Sequence, residues 1–130
     1  MIPEMPKREI PYVLSATNIT TSLFINMKET WINSANKFFD SLAAGKPIAI
    51  NYDGWQADML RRTGAGLVLD PVNIDKSAKM LLQAIKDKAW LEKSSLAAKK
   101  LAREEFSRDM LAQKLEAVLR NAVNGKRDER

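Results

Sequence analysis

Ser34-Ala35-Asn36-Lys37-Phe38-Phe39-Asp40-Ser41-Leu42-Ala43-Ala44-Gly45-Lys46-Pro47 decides the fold of this chain. It reads as a helix that opens from a small, polar turn and closes at Gly45, with Asn33 or Ser34 as its cap. Ala35, Phe39, Leu42 and Ala43 recur at helical spacing and form an apolar face. Asn33, Lys37, Asp40 and Ala44 fall on a different face. The apolar run Pro47-Ile48-Ala49-Ile50-Asn51 then suits a buried strand.

A helix opening has backbone N–H groups without helical partners and carries the positive end of the helix dipole. Phosphate binds there when the side chains are small, as Ser34 and Ala35 are. Asp40, further along the helix, has a carboxylate able to accept two hydrogen bonds from a ribose diol. The plainer alternative is a solvated Asp40–Lys37 ion pair on a helix that only packs on a sheet.

Working outward, residues 1–6 hold two prolines and read as an irregular lead-in. Residues 7–16 suit a short helix with Pro11 in its first turn and Tyr12, Val13 and Ala16 inward. Residues 18–25 are rich in β-branched and aromatic residues and predict a strand, with Ile19, Thr21, Leu23 and Ile25 on one face. Residues 26–32, with Lys28 and Glu29, form the loop into the key helix. This is where ligands meet open α/β sheets, beyond the carboxyl ends of strands.

After the 47–51 strand, Tyr52-Asp53-Gly54-Trp55 is a second strand-to-helix turn. Trp55 there is either a stacking surface for a base or sugar, or a buried anchor. A helix over 56–63 stops at Gly64, and residues 65–69 make a third short strand, ended by Asp70-Pro71. Three helices follow. The first, over 74–86, carries the stripe Ile74, Ala78, Leu81, Ile85, with Asp75 as its cap or first-turn acid. The second, over 88–105, is capped by Asp87, with Trp90, Ala97 and Leu101 inward. The third runs from a Ser107 cap to about Val123 with Leu111, Leu115, Val118 and Ala122, and residues 124–130 are expected to fray. Strands alternating with helices imply parallel pairing through right-handed crossovers. The fold class is therefore α/β, with about three parallel strands, flanking helices and a helical C-terminus.

The segment from Asn33 to Pro71 resembles the C-terminal, donor-binding half of GT-B glycosyltransferases, and most of all the large family 4, or group 1, members that act in surface polysaccharide assembly. Asp40-Ser41-Leu42-Ala43-Ala44-Gly45 matches that family's second acidic residue and the small-residue segment after it. The resemblance implies that Asp40 holds the ribose of a nucleotide sugar. It places Asn33, Ser34, Ala35 and Asn36 at the turn that meets the diphosphate and the sugar, with Lys37 offsetting phosphate charge and Gly54 at a turn close to the donor phosphates. The family's first acidic residue falls at Ile32, a departure from the pattern. The implied activity is transfer of a sugar, UDP-linked first of all, to a glycan or lipid-linked acceptor, with no cofactor and no metal bound for the chemistry.

The resemblance also implies half of a Rossmann-like, doubly wound domain. Residues 1–130 would form a single partial donor-binding domain, since the glycine-rich and basic motifs of the family's first half and the acceptor domain are absent. The expectations are a fragment of a longer enzyme, inactive alone, its N-terminal domain missing. Its exposed sheet edge would be hidden in a two-fold homodimer. A non-catalytic nucleotide-binding or interaction module is the alternative.

Composition narrows the chemistry. The 130 residues include no cysteine and no histidine, which removes disulfides, thiolate or imidazole metal sites and His-dependent nucleophilic catalysis. The net charge of +5 suits an anionic ligand, nucleic acid or an acidic membrane surface. The Lys and Arg residues of the C-terminal helices alternate with Asp and Glu, however, which argues against a phosphate track and hence against nucleic acid. No apolar run approaches the roughly 20 residues that span a bilayer, and the first residues lack a signal-peptide pattern. The expected location is cytoplasmic, with peripheral contact at the inner membrane face as a further option.

Overall fold

The computed structural model describes residues 5–32 and 35–125. Three strands, β1 (Thr20–Ser22), β2 (Ile48–Ile50) and β3 (Gly66–Val68), form one parallel sheet in the order β1-β2-β3. Thr20 pairs with Ile48 and Ile48 with Gly66, so these residues and their i+2 neighbours share one face. α1 (Ile10–Ser15) precedes β1, α2 (Asn36–Ala43) joins β1 to β2, and α3 (Trp55–Thr63) joins β2 to β3. α4 (Ile74–Lys86), α5 (Lys88–Glu105) and α6 (Arg108–Gly125) complete the chain. The architecture is α/β with an open three-stranded parallel sheet flanked by helices, consistent with half of a Rossmann-like fold.

The core lies between the sheet and α2, α3 and α5. Phe38 and Leu42 of α2, Ile48 and Ile50 of β2, Leu60 of α3 and Leu101 of α5 are buried together. Gly66 is fixed by close approach, because a Cβ there would stand 2.0 Å from the Ile48 carbonyl oxygen. α5 starts as its sequence indicates: the Asp87 side chain accepts a hydrogen bond from the Trp90 N–H at 2.9 Å. It buries Leu101 and partly buries Trp90 and Ala97.

Several faces differ from the sequence expectation. In α2 the buried residues are Phe38, Ser41 and Leu42; Phe39 and Ala35 are half-buried and Ala43 is exposed. The helix is rotated because the Ser41 hydroxyl is engaged inward by the Thr20 hydroxyl, 2.8 Å away. The same bond explains β1. Ser22 is buried and Phe24 half-buried, while Thr21, Leu23 and Ile25 are exposed and Ile19 is half-buried. The expected apolar face of β1 thus points away from α2.

In α1 the inward residues are Ile10, Val13 and Leu14, with Tyr12 and Ala16 exposed. In α4 Ala84 is buried, whereas Ile74, Ala78 and Ile85 are exposed and Leu81 is half-buried. Its cap is Asn73, whose side chain accepts from the Lys76 N–H at 3.0 Å; Asp75 lies in the first turn. α6 runs to Gly125 with Leu111, Leu115 and Val118 exposed. Of the tail expected to fray, residues 126–130 lie outside the described residues.

Candidate functional site

Two helices open at the carboxyl end of the sheet. α2 begins after Ala35, whose carbonyl accepts the Phe38 N–H at 3.0 Å, and among the described residues no side chain caps it. α3 begins after Gly54, whose φ of 102° is open to glycine and strained for any other residue. Its carbonyl accepts the Asp58 N–H at 3.1 Å, and again no side chain caps the helix. Aromatic rings tie the two openings together. Trp55 stacks on Phe39 at 6.2 Å with 28° between planes, and meets Phe38 edge-on at 5.8 Å. Phe106, just past α5, closes the cluster against Phe39 at 5.0 Å.

Below this rim, Asn51 clips two loops together. Its side-chain oxygen accepts the Phe24 N–H and its amide donates to the Phe24 carbonyl, both at 2.8 Å. Among the described residues, the buried hydroxyls of Ser22 and Tyr52 and both amide atoms of Gln56 make no hydrogen bond of good geometry. Burial pushes the Tyr52 phenol above its ordinary pKa, and the neighbouring Ser22 hydroxyl opposes that shift. Neither Asn51 nor Gln56 stood out in the sequence, because a single amide beside an apolar run carries no positional signal.

A cavity of about 280 Å³ lies at the carboxyl ends of β2 and β3, lined by Tyr52, Asp53, Arg61, Leu69, Asp70 and Pro71 among others. Arg61 donates to Asp53 at 2.8 Å and to Asp58 at 3.1 Å. The Asp53 bond in particular strengthens its hold on its proton. The Asp70 carboxylate accepts the Asn73 and Val72 N–H groups, at 3.1 and 2.9 Å, which hold its pKa below the usual carboxylate range.

The residues singled out from sequence divide into two places. Ala35 and Asn36 stand at the opening of α2, and Gly54 at that of α3. Asn33 and Ser34 lie outside the described residues. Asp40 is exposed and lines the groove between α1 and α2. It contributes to a cavity of about 400 Å³ with Lys7, Ile10, Pro11 and Leu14, and to one of about 380 Å³ with Lys37, Val13 and Ile19. Among the described residues, neither cavity is lined by Ala35, Asn36 or Gly54. Nor do Asp40 and Lys37 form an ion pair. Among the described residues no group of three carboxylates gathers in a way that would hold a metal ion. No described helix is long and apolar enough to cross a membrane.

No protein-family model, curated protein or solved structure matches the chain.

Proposed function

We propose that this chain is the donor-binding part of a nucleotide-sugar-dependent glycosyltransferase of the GT-B type. One observation carries the reading: two helix openings, after Ala35 and after Gly54 and uncapped among the described residues, follow β1 and β2 at the carboxyl end of a parallel sheet, and Phe39 of α2 stacks on Trp55 of α3. Unpaired N–H groups and helix dipoles there favour a diphosphate, and small residues let it approach. Asp40 receives the ribose from the groove beside α1, and Lys37 offsets phosphate charge. In the whole enzyme these contacts stabilise the leaving diphosphate as negative charge develops. The chain alone is inactive, because the acceptor side of the site belongs to another domain. The enzyme works in the cytoplasm.

Titration calorimetry with UDP on the wild-type chain and on Asp40→Ala tests this. Saturable binding that weakens at least tenfold in the variant is expected. Absence of binding by the wild type overturns the reading.

One observation favours the second reading, a non-catalytic nucleotide-binding or interaction module. Ile32, at the place of the family's first acidic residue, is 82% exposed and brings no carboxylate to a donor sugar. We also propose that the chain pairs with a second copy through an open sheet edge. Among the described residues β1 and β3 each pair on one side only, and Leu23 and Ile25 extend the β1 edge with exposed apolar side chains. A monomer by light scattering at micromolar concentration would defeat that pairing.

A further inference from the structure

We infer that the cavity at the carboxyl ends of β2 and β3 is a binding site for a neutral polyhydroxyl ligand the size of one sugar ring. Its walls come from three elements. Tyr52 and Asp53 follow β2, Leu69, Asp70 and Pro71 follow β3, and Arg61 belongs to α3. The volume of about 280 Å³ lies just below the range of about 300–1,000 Å³ that takes drug-sized molecules, so the occupant is small.

The polar groups decide its chemistry. Arg61 donates to Asp53 at 2.8 Å and to Asp58 at 3.1 Å, both through one terminal nitrogen. The rest of its guanidinium makes no hydrogen bond among the described residues. Asp70 takes the Val72 and Asn73 N–H groups on a single carboxylate oxygen, and Asp53 takes Arg61 on a single oxygen. Each carboxylate therefore keeps an oxygen that can accept from a ligand, and the guanidinium keeps N–H groups that can donate to one. A hydroxyl both donates and accepts, so a polyol answers both sets together. An anion would meet two carboxylates against one guanidinium that Asp53 already neutralises, and charge opposes it. Nor, among the described residues, do three carboxylates gather to hold a metal ion.

Tyr52 supplies an independent observation. It is 3% exposed and forms part of the cavity wall, and its hydroxyl makes no hydrogen bond of good geometry among the described residues. A buried hydroxyl in that condition costs stability, and a ligand hydroxyl would relieve the cost. The Tyr52 ring, Leu69 and Pro71 give the C–H face of a sugar an apolar wall.

The test is a titration of the full chain with glucose, followed by backbone amide chemical shifts. Saturable shifts gathered at Asp53, Leu69 and Asp70 are expected, with a dissociation constant in the millimolar range. Tyr52→Phe removes only the hydroxyl. It should weaken binding about three- to tenfold, the worth of one neutral hydrogen bond, without lowering the melting temperature. Asp53→Asn should weaken binding by a similar factor, and circular dichroism checks that both variants are folded. Glucuronate, a similar ring carrying a carboxylate, should bind more weakly than glucose. Absence of saturable shifts at tens of millimolar glucose overturns the inference. So does a folded Tyr52→Phe that binds glucose as tightly as wild type, or tighter binding of glucuronate, which would make the cavity an anion site. The result is separate from the UDP titration. A chain that binds UDP but not glucose keeps the donor-binding reading and loses this one, and a chain that binds glucose but not UDP does the reverse.

Discussion

β2 and α6 are both apolar stretches of sequence, and the structure treats them in opposite ways. Ile48, Ala49 and Ile50 are fully buried, with parallel neighbours on both sides and α2, α3 and α5 over one face. Leu111, Leu115, Val118, Leu119 and Val123 of α6 all stay exposed. The apolar residues of α6 recur at helical spacing, though they gather on one face less sharply than those of α2 or α3. What differs is cover: an amphipathic pattern states which face seeks burial, and only the surrounding chain decides whether burial occurs. Stability should accordingly sit in the sheet and the helices packed on it, with little of it in α6.

The largest expected effect is therefore in the core under β2. Phe38→Ala removes a wholly enclosed ring and should cost about 3–5 kcal/mol in urea unfolding, an amount of this order being typical for such a cavity. Leu115→Ala, at a site that is 60% exposed, should change stability by less than about 0.5 kcal/mol. Comparable losses at both positions would break the comparison, and would mean that α6 is covered in solution, for example by a second copy of the chain.

Much of this division was legible in the sequence. The apolar run 47–51 suited a buried strand, as residues 48–50 are, and Asp87 marked the start of α5 through its cap. What the sequence concealed were rotations. Thr20 and Ser22 took the inward positions that strand alternation assigned to Ile19, Thr21 and Leu23, and Ser41 took one that helical spacing in α2 assigned to Phe39 and Ala43. A hydroxyl can face a core when another hydroxyl meets it, as at Thr20–Ser41. α4 was misjudged for a different reason. Its apolar residues span more of the helix than its neighbours cover, so Ile74 and Ile85 are exposed although they fit the spacing. The two strand-to-helix turns, before α2 and before α3, were legible. The position of Asp40 in the α1 groove was not, since it depends on where α1 packs.

A smaller effect sharpens what enclosure means near the rim. Gln56 is completely buried in the first turn of α3, and among the described residues neither amide atom has a hydrogen-bond partner. Desolvating an amide without new hydrogen bonds is costly, and an apolar side chain of similar shape avoids that cost. Gln56→Met should stabilise the chain by about 1 kcal/mol in urea unfolding. A loss of the same size would show that the amide has a partner in solution, and that the region beneath the rim holds a polar group that the protein itself does not supply.

The smallest effect lies at the turn between β3 and α4, outside the core altogether. The Asp70 carboxylate is held below the usual carboxylate range by the N–H groups of Asn73 and Val72, with Lys76 adding attraction. A lowered folded-state value means that the ionised form favours the native chain. That contribution is complete above the unfolded carboxylate value of about 3.9, and it disappears as pH falls through the folded value. Asp70→Asn keeps an oxygen able to accept both N–H bonds but removes the charge. The variant should thus melt slightly below wild type at pH 7, and the gap should close as pH falls below the folded-state value, where the wild-type carboxyl is protonated too. Asp70 faces solvent, so screening should shrink the gap further in salt. A gap that persisted unchanged at low pH would show that the turn depends on carboxylate geometry more than on charge.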